Sequence, residues 1–411
     1  MGEIYASLDA ILSNTTDTRV GFTQLTSPAP YFVDRSFVDG YAERHDVIRE
    51  FMSIALEIFD AALVGEADPF ILNILLNEVP SSLGVDFHRW LQTPHKQLPA
   101  FFRTDEASPG RIIEIQCPGS LWGDHELLSD YFSGGSESLS ALFSAMLYDH
   151  LGNQPVVHHL LDNASIPHTM RYFIQKTRPV VMYFGIDPEI RPDDCRFIRS
   201  HSFFGLMAEN WAKDRLHRCV SGEVKYDLPP MVLFDQKVVL ALPFLAETRN
   251  LFPDRVRDAL VYTQLLRPEG VLLEDGSWMG LKELAAVPRG QRRFFLKYGG
   301  CDVSLNWGSQ AVTNLDHMGR ARVLATLEDK LEGFDAGHIW LLQRTETMKE
   351  TVNWVTRKSE QVTKELHAKF SGFYGPSGFL GACVQHRDFF KVHGGTNTVF
   401  NICIERPEAT A

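Results

Sequence analysis

The sequence contains little cysteine and no long apolar run, and both absences limit the classes of protein to which it can belong. Six cysteines are spread over 411 residues without a Cys-x-x-Cys pair, so neither a zinc ribbon nor a disulfide framework is indicated. No window approaches the roughly 20 apolar residues that a membrane-spanning helix needs. The chain starts Met1-Gly2-Glu3, without the basic and apolar regions of a signal peptide. We therefore expect a cytoplasmic protein with buried, reduced thiols and no membrane partner.

Basic residues and the common phosphate-binding motifs are also scarce. Lysine and arginine together number 40 against 52 acidic residues, for a formal net charge of -12, which argues against a nucleic-acid partner. The sequence has no Gly-x-x-x-x-Gly-Lys-Ser/Thr, no Gly-x-Gly-x-x-Gly and no Asp-Phe-Gly. These gaps exclude a Walker loop, a dinucleotide fingerprint and a protein-kinase catalytic core. A phosphate site in this chain must be built from other elements.

One such element is present at residues 293–300, Arg-Phe-Phe-Leu-Lys-Tyr-Gly-Gly. The apolar residues before Lys297 predict a short buried strand, so the lysine lies where that strand ends. Gly299 and Gly300 allow the backbone to approach a ligand closely, and the amides of Gly308 and Ser309 can face an anion. A cation beside such a loop suits a polyphosphate.

A second element is the pair of short segments at 101–105 and 111–116, which a Ser-Pro-Gly turn separates. This pattern predicts a β-hairpin. Residues two apart on a strand share a face, so Arg103 and Asp105 point the same way, as do Glu114 and Gln116. Carboxylate and amide oxygens from adjacent strands suit Mg²⁺. A solvated hairpin face with a cross-strand ion pair is the alternative interpretation.

The rest of the chain predicts an α+β protein, of α/β type, with a helical N-terminal part. We expect residues 1–40 to be irregular and residues 255–266 to be helical, and we expect 349–370 to mix strand and helix. The predicted regions are an N-terminal helical region at 1–100, a central region at 101–270 that contains the hairpin, and a nucleotide-binding region at 271–411.

In order and residue type these motifs resemble the ATP-grasp ligases, and specifically the synthetase domain of glutathionylspermidine synthase. The family's Arg-x-Asp and Glu-x-Asn pairs are similar to 103–105 and 114–116, its two lysines to Lys237 and Lys297, and its strand ending in glutamine to Leu342-Gln343. Gln116 stands where asparagine is usual and Tyr298 where proline is usual. The glycine loop also differs from the family's form. The resemblance spans roughly residues 100–345.

The resemblance implies an ATP-grasp fold in a glutathionylspermidine-synthase-like arrangement, with ATP and Mg²⁺ as cofactors. It assigns each candidate residue a role: nucleotide binding to Lys237, Lys297, Gly299, Gly300, Gly308, Ser309, Leu342 and Gln343, metal binding to Asp105, Glu114 and Gln116, and catalysis to Arg103.

The implied activity is an ATP-dependent ligase that joins a small carboxylate to an amine through an acyl phosphate. Amino acids, peptides and polyamines are the substrate classes that the resemblance suggests, and a homodimer is among the assemblies expected. Two alternatives stay open at this point. One is a non-catalytic nucleotide-binding or regulatory protein on the same fold. The other is a non-haem iron oxygenase, because His386-Arg387-Asp388 supplies half of a facial triad.

Overall fold

The structure is a computed structural model. It describes residues 3–15, 22–76, 79, 85–91, 98–117, 121–134, 138–151, 156–160, 168–177, 180–184, 197–200, 221, 225–226, 232–300, 305, 311–335, 337–393 and 395–407. Within these ranges no helix combines the length and hydropathy that crossing a bilayer requires.

The described residues alternate between helices and strands, which confirms the predicted α+β class. The helices are α1 (Glu3–Thr15), α2 (Arg35–Val64), α3 (Pro69–Leu76), α4 (Val85–Leu91), α5 (Trp122–Ser133), α6 (Leu139–Leu151), α7 (His168–Lys176), α8 (Asp254–Ala259), α9 (Leu281–Ala286) and α10 (Arg320–Leu331). The strands are β1 (Tyr31–Val33), β2 (Phe102–Ser108), β3 (Arg111–Gln116), β4 (Val156–Leu160), β5 (Val180–Phe184), β6 (Phe197–Ser200), β7 (Lys225–Tyr226), β8 (Thr263–Leu265), β9 (Val271–Leu272), β10 (Trp278–Met279), β11 (Phe294–Tyr298), β12 (Val312–Asn314), β13 (Trp340–Arg344), β14 (Met348–Val355), β15 (Gln361–Gly375), β16 (Gly378–Arg387) and β17 (Val399–Glu405).

The largest sheet has seven strands in the order β1-β17-β16-β15-β2-β3, with β14 pairing beside β2 on the same edge of β15. The predicted hairpin is confirmed: β2 and β3 are antiparallel, and Gly110 takes a positive φ of 87° in the turn between them. β2 also pairs with β15, and Arg103 and Asp105 are each only 2% exposed. Their burial excludes the alternative of a solvated hairpin face.

A second sheet of four antiparallel strands has the order β12-β11-β13-β8, and it contains the strand that ends near Lys297. A third, parallel sheet has the order β5-β4-β6-β7. The two antiparallel sheets supply the side chains of the candidate site.

Two apolar cores cover the largest sheet, one on each face. α2 packs on one face, where its buried residues from Tyr41 to Leu63 meet Phe102, Phe370 and Tyr374. On the other face α1, α5, α6 and α7 pack against Phe373 and Phe400. A third core, built around Leu296 and Leu342, lies behind the second sheet. Part of the second face of the large sheet carries charged residues instead.

Three predictions for local structure are wrong. Residues 1–40 are not irregular, because Ile4, Leu8 and Leu12 repeat at helical spacing and are buried on α1, and α2 begins at Arg35. The helix predicted at 255–266 ends at Ala259, and residues 263–265 instead pair with β13 as β8. The segment 349–370 contains two long strands and no helix.

The division into 1–100, 101–270 and 271–411 stays a prediction. The largest sheet draws strands from all three of these ranges, from β1 near the start of the chain to β17 near its end.

Candidate functional site

The charged face of the largest sheet is set by strand register. Arg103 lies opposite Gln116, and Asp105 opposite Glu114, so all four predicted hairpin residues share one face. Ser371 of β15 lies opposite Asp105 on the other side of β2. Because side chains two apart on a strand point the same way, Lys369 joins this face as well.

Asp105 is the centre of this face and is 2% exposed. Its Oδ1 accepts hydrogen bonds from Arg103 Nε at 2.9 Å and from Ser371 Oγ at 2.8 Å. Its Oδ2 accepts from Arg103 Nη2 at 3.2 Å and from Lys369 Nζ at 2.7 Å. Burial opposes ionisation, but the two cations outweigh burial and hold the pKa of Asp105 well below its usual range.

Lys297 faces the same space from the second sheet. It is 9% exposed, and its Nζ donates to Gln343 Oε1 at 2.5 Å. Gln343 in turn donates from Nε2 to the carbonyl of Ile113 and to Thr263 Oγ1, so it ties the second sheet to the hairpin. Burial and the charges of Lys237 and Lys369 lower the pKa of Lys297 to about 8.

Lys237 is brought to the site by a short apolar 3₁₀ helix, Lys237–Phe244. The backbone N–H of Val238 donates to the carbonyl of Gly299 at 2.9 Å, which places the start of this helix beside the end of β11. A Cβ on Gly299 would lie 3.1 Å from Leu341 Cγ, so a side chain here would crowd the neighbouring strand. Lys237 Nζ lies 3.2 Å from Glu114 Oε1.

The assembled group has more positive than negative charge. Four cations surround two carboxylates: Arg103, Lys237, Lys297 and Lys369 against Asp105 and Glu114. Burial opposes ionisation of Glu114, but Lys237, Lys297 and Lys369 outweigh burial and lower its pKa. Among these six side chains positive charges outnumber negative charges by two, in a chain whose net charge is -12. A polyanion is the ligand that this local excess of positive charge favours.

Two members of this group, Lys369 and Ser371, were missed in the sequence. The charged residues of 349–370 obscured the strand pattern there. Alternation along β15 was the available signal, because the odd-numbered residues from 369 to 373 lie on the site face.

The remaining candidates divide into four cases. Leu342 is fully buried in the core behind the second sheet, so its side chain points away from Lys297. Gly300 is buried directly after Gly299. Gln116 lies on the site face, and its side chain makes no hydrogen bond with the described residues. Gly308 and Ser309 lie outside the described residues.

A polar cavity of about 400 Å³ opens where β13 ends, and Ser108, Arg293 and Thr345 are among the residues lining it. Arg293 has a φ of 53°, which is unusual for a residue with a large side chain. Its backbone N–H donates to Asp316 and its carbonyl accepts from Thr345, so two contacts hold this conformation. Arg293 immediately precedes β11, four residues before Lys297, which corresponds to roughly 13 Å at the rise of a strand.

The donor set fits Mg²⁺ on β3, at Glu114 and Gln116, but not at Asp105 on β2. Glu114 uses one carboxylate oxygen in its contact with Lys237, and Gln116 adds an amide oxygen beside it. Asp105, by contrast, already accepts four hydrogen bonds, two on each oxygen. Among the described residues no group of three or more His, Cys, Asp or Glu side chains is arranged to hold a metal ion.

The lack of such a metal-binding group among the described residues also bears on the iron-oxygenase alternative. His386 is hydrogen-bonded through Nε2 to Glu350, and Asp388 is paired with Lys364. No group of three metal-binding side chains forms around them in the described part of the chain, so nothing there supports an iron centre. The predicted free thiols are confirmed for Cys117, Cys383 and Cys403.

Neither a protein-family model nor a curated protein sequence matches the chain. Among solved structures, the chain resembles a glutathione synthetase-like effector from Globodera pallida in its apo form. The two have a TM-score of 0.52 and 12% sequence identity, and the match covers 98% of this chain and 96% of the other. At this identity the likeness establishes the fold alone.

The chain therefore has a glutathione synthetase-like fold of mixed helices and strands, consistent with part of the resemblance seen in the sequence. The roles of the site residues, the cofactors, the partners and the cytoplasmic location stay predictions.

Proposed function

We propose that the protein is an ATP-dependent carboxylate–amine ligase of the ATP-grasp type, which forms an amide bond through an acyl phosphate. The observation that carries this proposal is the buried cluster of four cations around two carboxylates between two sheets. A triphosphate is the common biological ligand whose charge suits such a surplus. The glutathione synthetase-like fold supports the same class of enzyme.

In this proposal two pairs of cations contact different parts of the triphosphate. Lys237 and Lys297 come from elements that Gly299 joins, and they bind the α- and β-phosphates. Arg103 and Lys369 lie on the opposite sheet and bind the terminal phosphoryl group. Lys369 uses one of its three donors on Asp105 among the described contacts, so it retains donors for a phosphate. Glu114 and Gln116 would hold Mg²⁺, which would supply charge neutralisation during the transfer.

Phosphoryl transfer depends mainly on positioning the reacting groups and neutralising their charge, and little on covalent bonds to the protein. A carboxylate oxygen of the acid attacks the γ-phosphorus, and the bond to the β-phosphate oxygen breaks to release ADP. The amine nitrogen then attacks the acyl carbon, inorganic phosphate leaves, and the nitrogen loses a proton. Low exposure of Lys297 and Lys369 supports a site that limits hydrolysis of the acyl phosphate by water.

The cavity at the end of β13 is a candidate binding site for the nucleoside of ATP. It lies beside the start of β11, and Lys297 lies near the other end of that strand. Its volume of about 400 Å³ is large enough for a nucleoside.

The test uses hydroxylamine as a surrogate amine, so that only the acid has to be identified. The protein is incubated with ATP, Mg²⁺, hydroxylamine and a panel of amino acids and small peptides, and ADP and acyl hydroxamate are measured together. We expect equal amounts of the two products with the correct acid, and none in Lys297→Met. Lys282→Met, at an exposed lysine of α9, is the matched control.

ADP release without hydroxamate across the panel would contradict the ligase assignment and indicate an ATPase. ATP binding without ADP formation would favour the alternative of a non-catalytic nucleotide-binding protein.

A further inference from the structure

Asp105 has a complete set of hydrogen bonds, and this distinguishes it from the neighbouring carboxylate. An ionised carboxylate offers about four acceptor positions. Arg103 fills two of them, Lys369 one and Ser371 one, at distances from 2.7 to 3.2 Å. A metal ion could bind Asp105 only by displacing one of these donors.

The partners of Asp105 are fixed by strand pairing rather than by flexible loops. Ser371 faces Asp105 directly across the β2–β15 pair, Arg103 is two residues away on the same strand, and Lys369 is two residues from Ser371. All four residues are at most 9% exposed. A donor that moves away to admit a metal would leave a buried charge unpaired, which is strongly unfavourable.

Local charge also disfavours a cation at Asp105. An ion bound there would lie between the guanidinium of Arg103 and the ammonium of Lys369. Glu114 is in a different position, because its side chain is 21% exposed and the direct contact described for it is one ion pair, with Lys237 Nζ. Gln116 is next to it on the same face.

We propose that Asp105 is a positioning residue, which holds Arg103 and Lys369 side by side toward the transferring phosphoryl group and does not coordinate the metal ion. Metal coordination belongs to Glu114 and Gln116. This inference rests on the proposed function, since it concerns the same phosphate site. Asp105 acts on the reaction only through the two cations, so its loss should affect the transition state more than the binding of metal or nucleotide.

The first experiment measures Mn²⁺ binding by electron paramagnetic resonance in the presence of a non-hydrolysable ATP analogue. We expect Asp105→Asn to change the apparent Mn²⁺ affinity by less than about threefold, and Glu114→Gln to weaken it by about tenfold or more. In ADP-formation assays Asp105→Asn should lower kcat by roughly a hundredfold while the KM for ATP changes little. An equal loss of Mn²⁺ affinity in both variants would overturn the proposal.

A second experiment covers the case in which Asp105→Asn does not fold. Crystals of the wild-type protein with Mn²⁺ and the same analogue locate the metal by its anomalous signal. We expect Mn²⁺ within bonding distance of Glu114, about 2.1 Å, and beyond about 4 Å from both oxygens of Asp105. A direct Mn²⁺–Asp105 bond would overturn the assignment. Failure of the wild-type protein to bind the analogue at all would instead reject the proposed function, and this inference with it.

Discussion

At the scale of single residues, Lys297 is the group whose protonation should control anion binding. Burial and two neighbouring lysines lower its pKa to about 8, from an ordinary value of 10.5. A bound phosphate would raise that pKa, so binding takes up a proton as the pH rises above about 8. Metal-free tripolyphosphate should therefore lose affinity, by up to about tenfold per pH unit from that point.

The variant Lys297→Met lacks the titrating ammonium group and is therefore the control for this pH dependence. It should bind tripolyphosphate about 2 kcal/mol more weakly near neutral pH, the scale of one hydrogen bond to a charged group. Its remaining pH dependence reports the ligand's own titration. If the wild-type protein and Lys297→Met show parallel pH profiles, Lys297 does not contact the anion.

Asp124 is a second titrating residue, and its effect is on stability. Burial raises its pKa to about 7, from 3.8, against the opposing effects of Thr169 and Arg103. The folded state therefore binds a proton between about pH 4 and 7 that the unfolded state does not. The stability contributed by this protonation is complete below about pH 4 and is lost as the pH rises through 7.

Asp124→Asn mimics the protonated form and should remove this pH dependence. We expect its unfolding free energy to exceed that of the wild-type protein at about pH 8, by up to about 4 kcal/mol, and the difference to shrink toward pH 5. Urea unfolding at the two pH values measures it. A difference that is the same at both would show that Asp124 does not titrate in the folded protein.

At the scale of elements, β15 is packed so closely against α2 that one of its positions admits only glycine. A Cβ on Gly372 would lie 2.6 Å from the ring of Tyr41. Gly372→Ala should therefore lower the unfolding free energy by about 1–3 kcal/mol. Gly40 of α2 has no neighbouring atom closer than 3.8 Å to such a Cβ, so Gly40→Ala should raise it by about 0.5–1 kcal/mol. Urea unfolding compares the two, and equal stabilities would contradict this packing.

Some helices and strands could be predicted from the sequence and others could not. The hairpin was predictable because the Pro-Gly turn and the alternation around Arg103 and Glu114 are local signals. The strand before Lys297 was predictable from its short apolar run. The helical content predicted for 349–370 was wrong, because a strand with charged residues at many positions resembles a polar helix when its pairing partners are unknown.

At the scale of the whole molecule, the site depends on contacts between distant parts of the chain. Lys369 and Asp105 are 264 positions apart, and the hydrogen bond between them exists only because β2 inserts beside β15. No local pattern encodes that pairing, which explains why Lys369 and Ser371 were missed. The resemblance supplied the order of the lysines and carboxylates, but it assigned Asp105 to a metal without regard to these partners.

The central claim is that cations from two sheets together hold one polyphosphate. The most direct measurement is isothermal titration calorimetry with tripolyphosphate and with ATP·Mg²⁺ on the wild-type protein, the double variant Lys237→Met/Lys297→Met and the control Lys282→Met. We predict one bound ligand per chain in the wild-type protein and the control, with affinity at least about a hundredfold weaker in the double variant. Equal affinity in all three proteins, or no binding to the wild-type protein, would contradict the account.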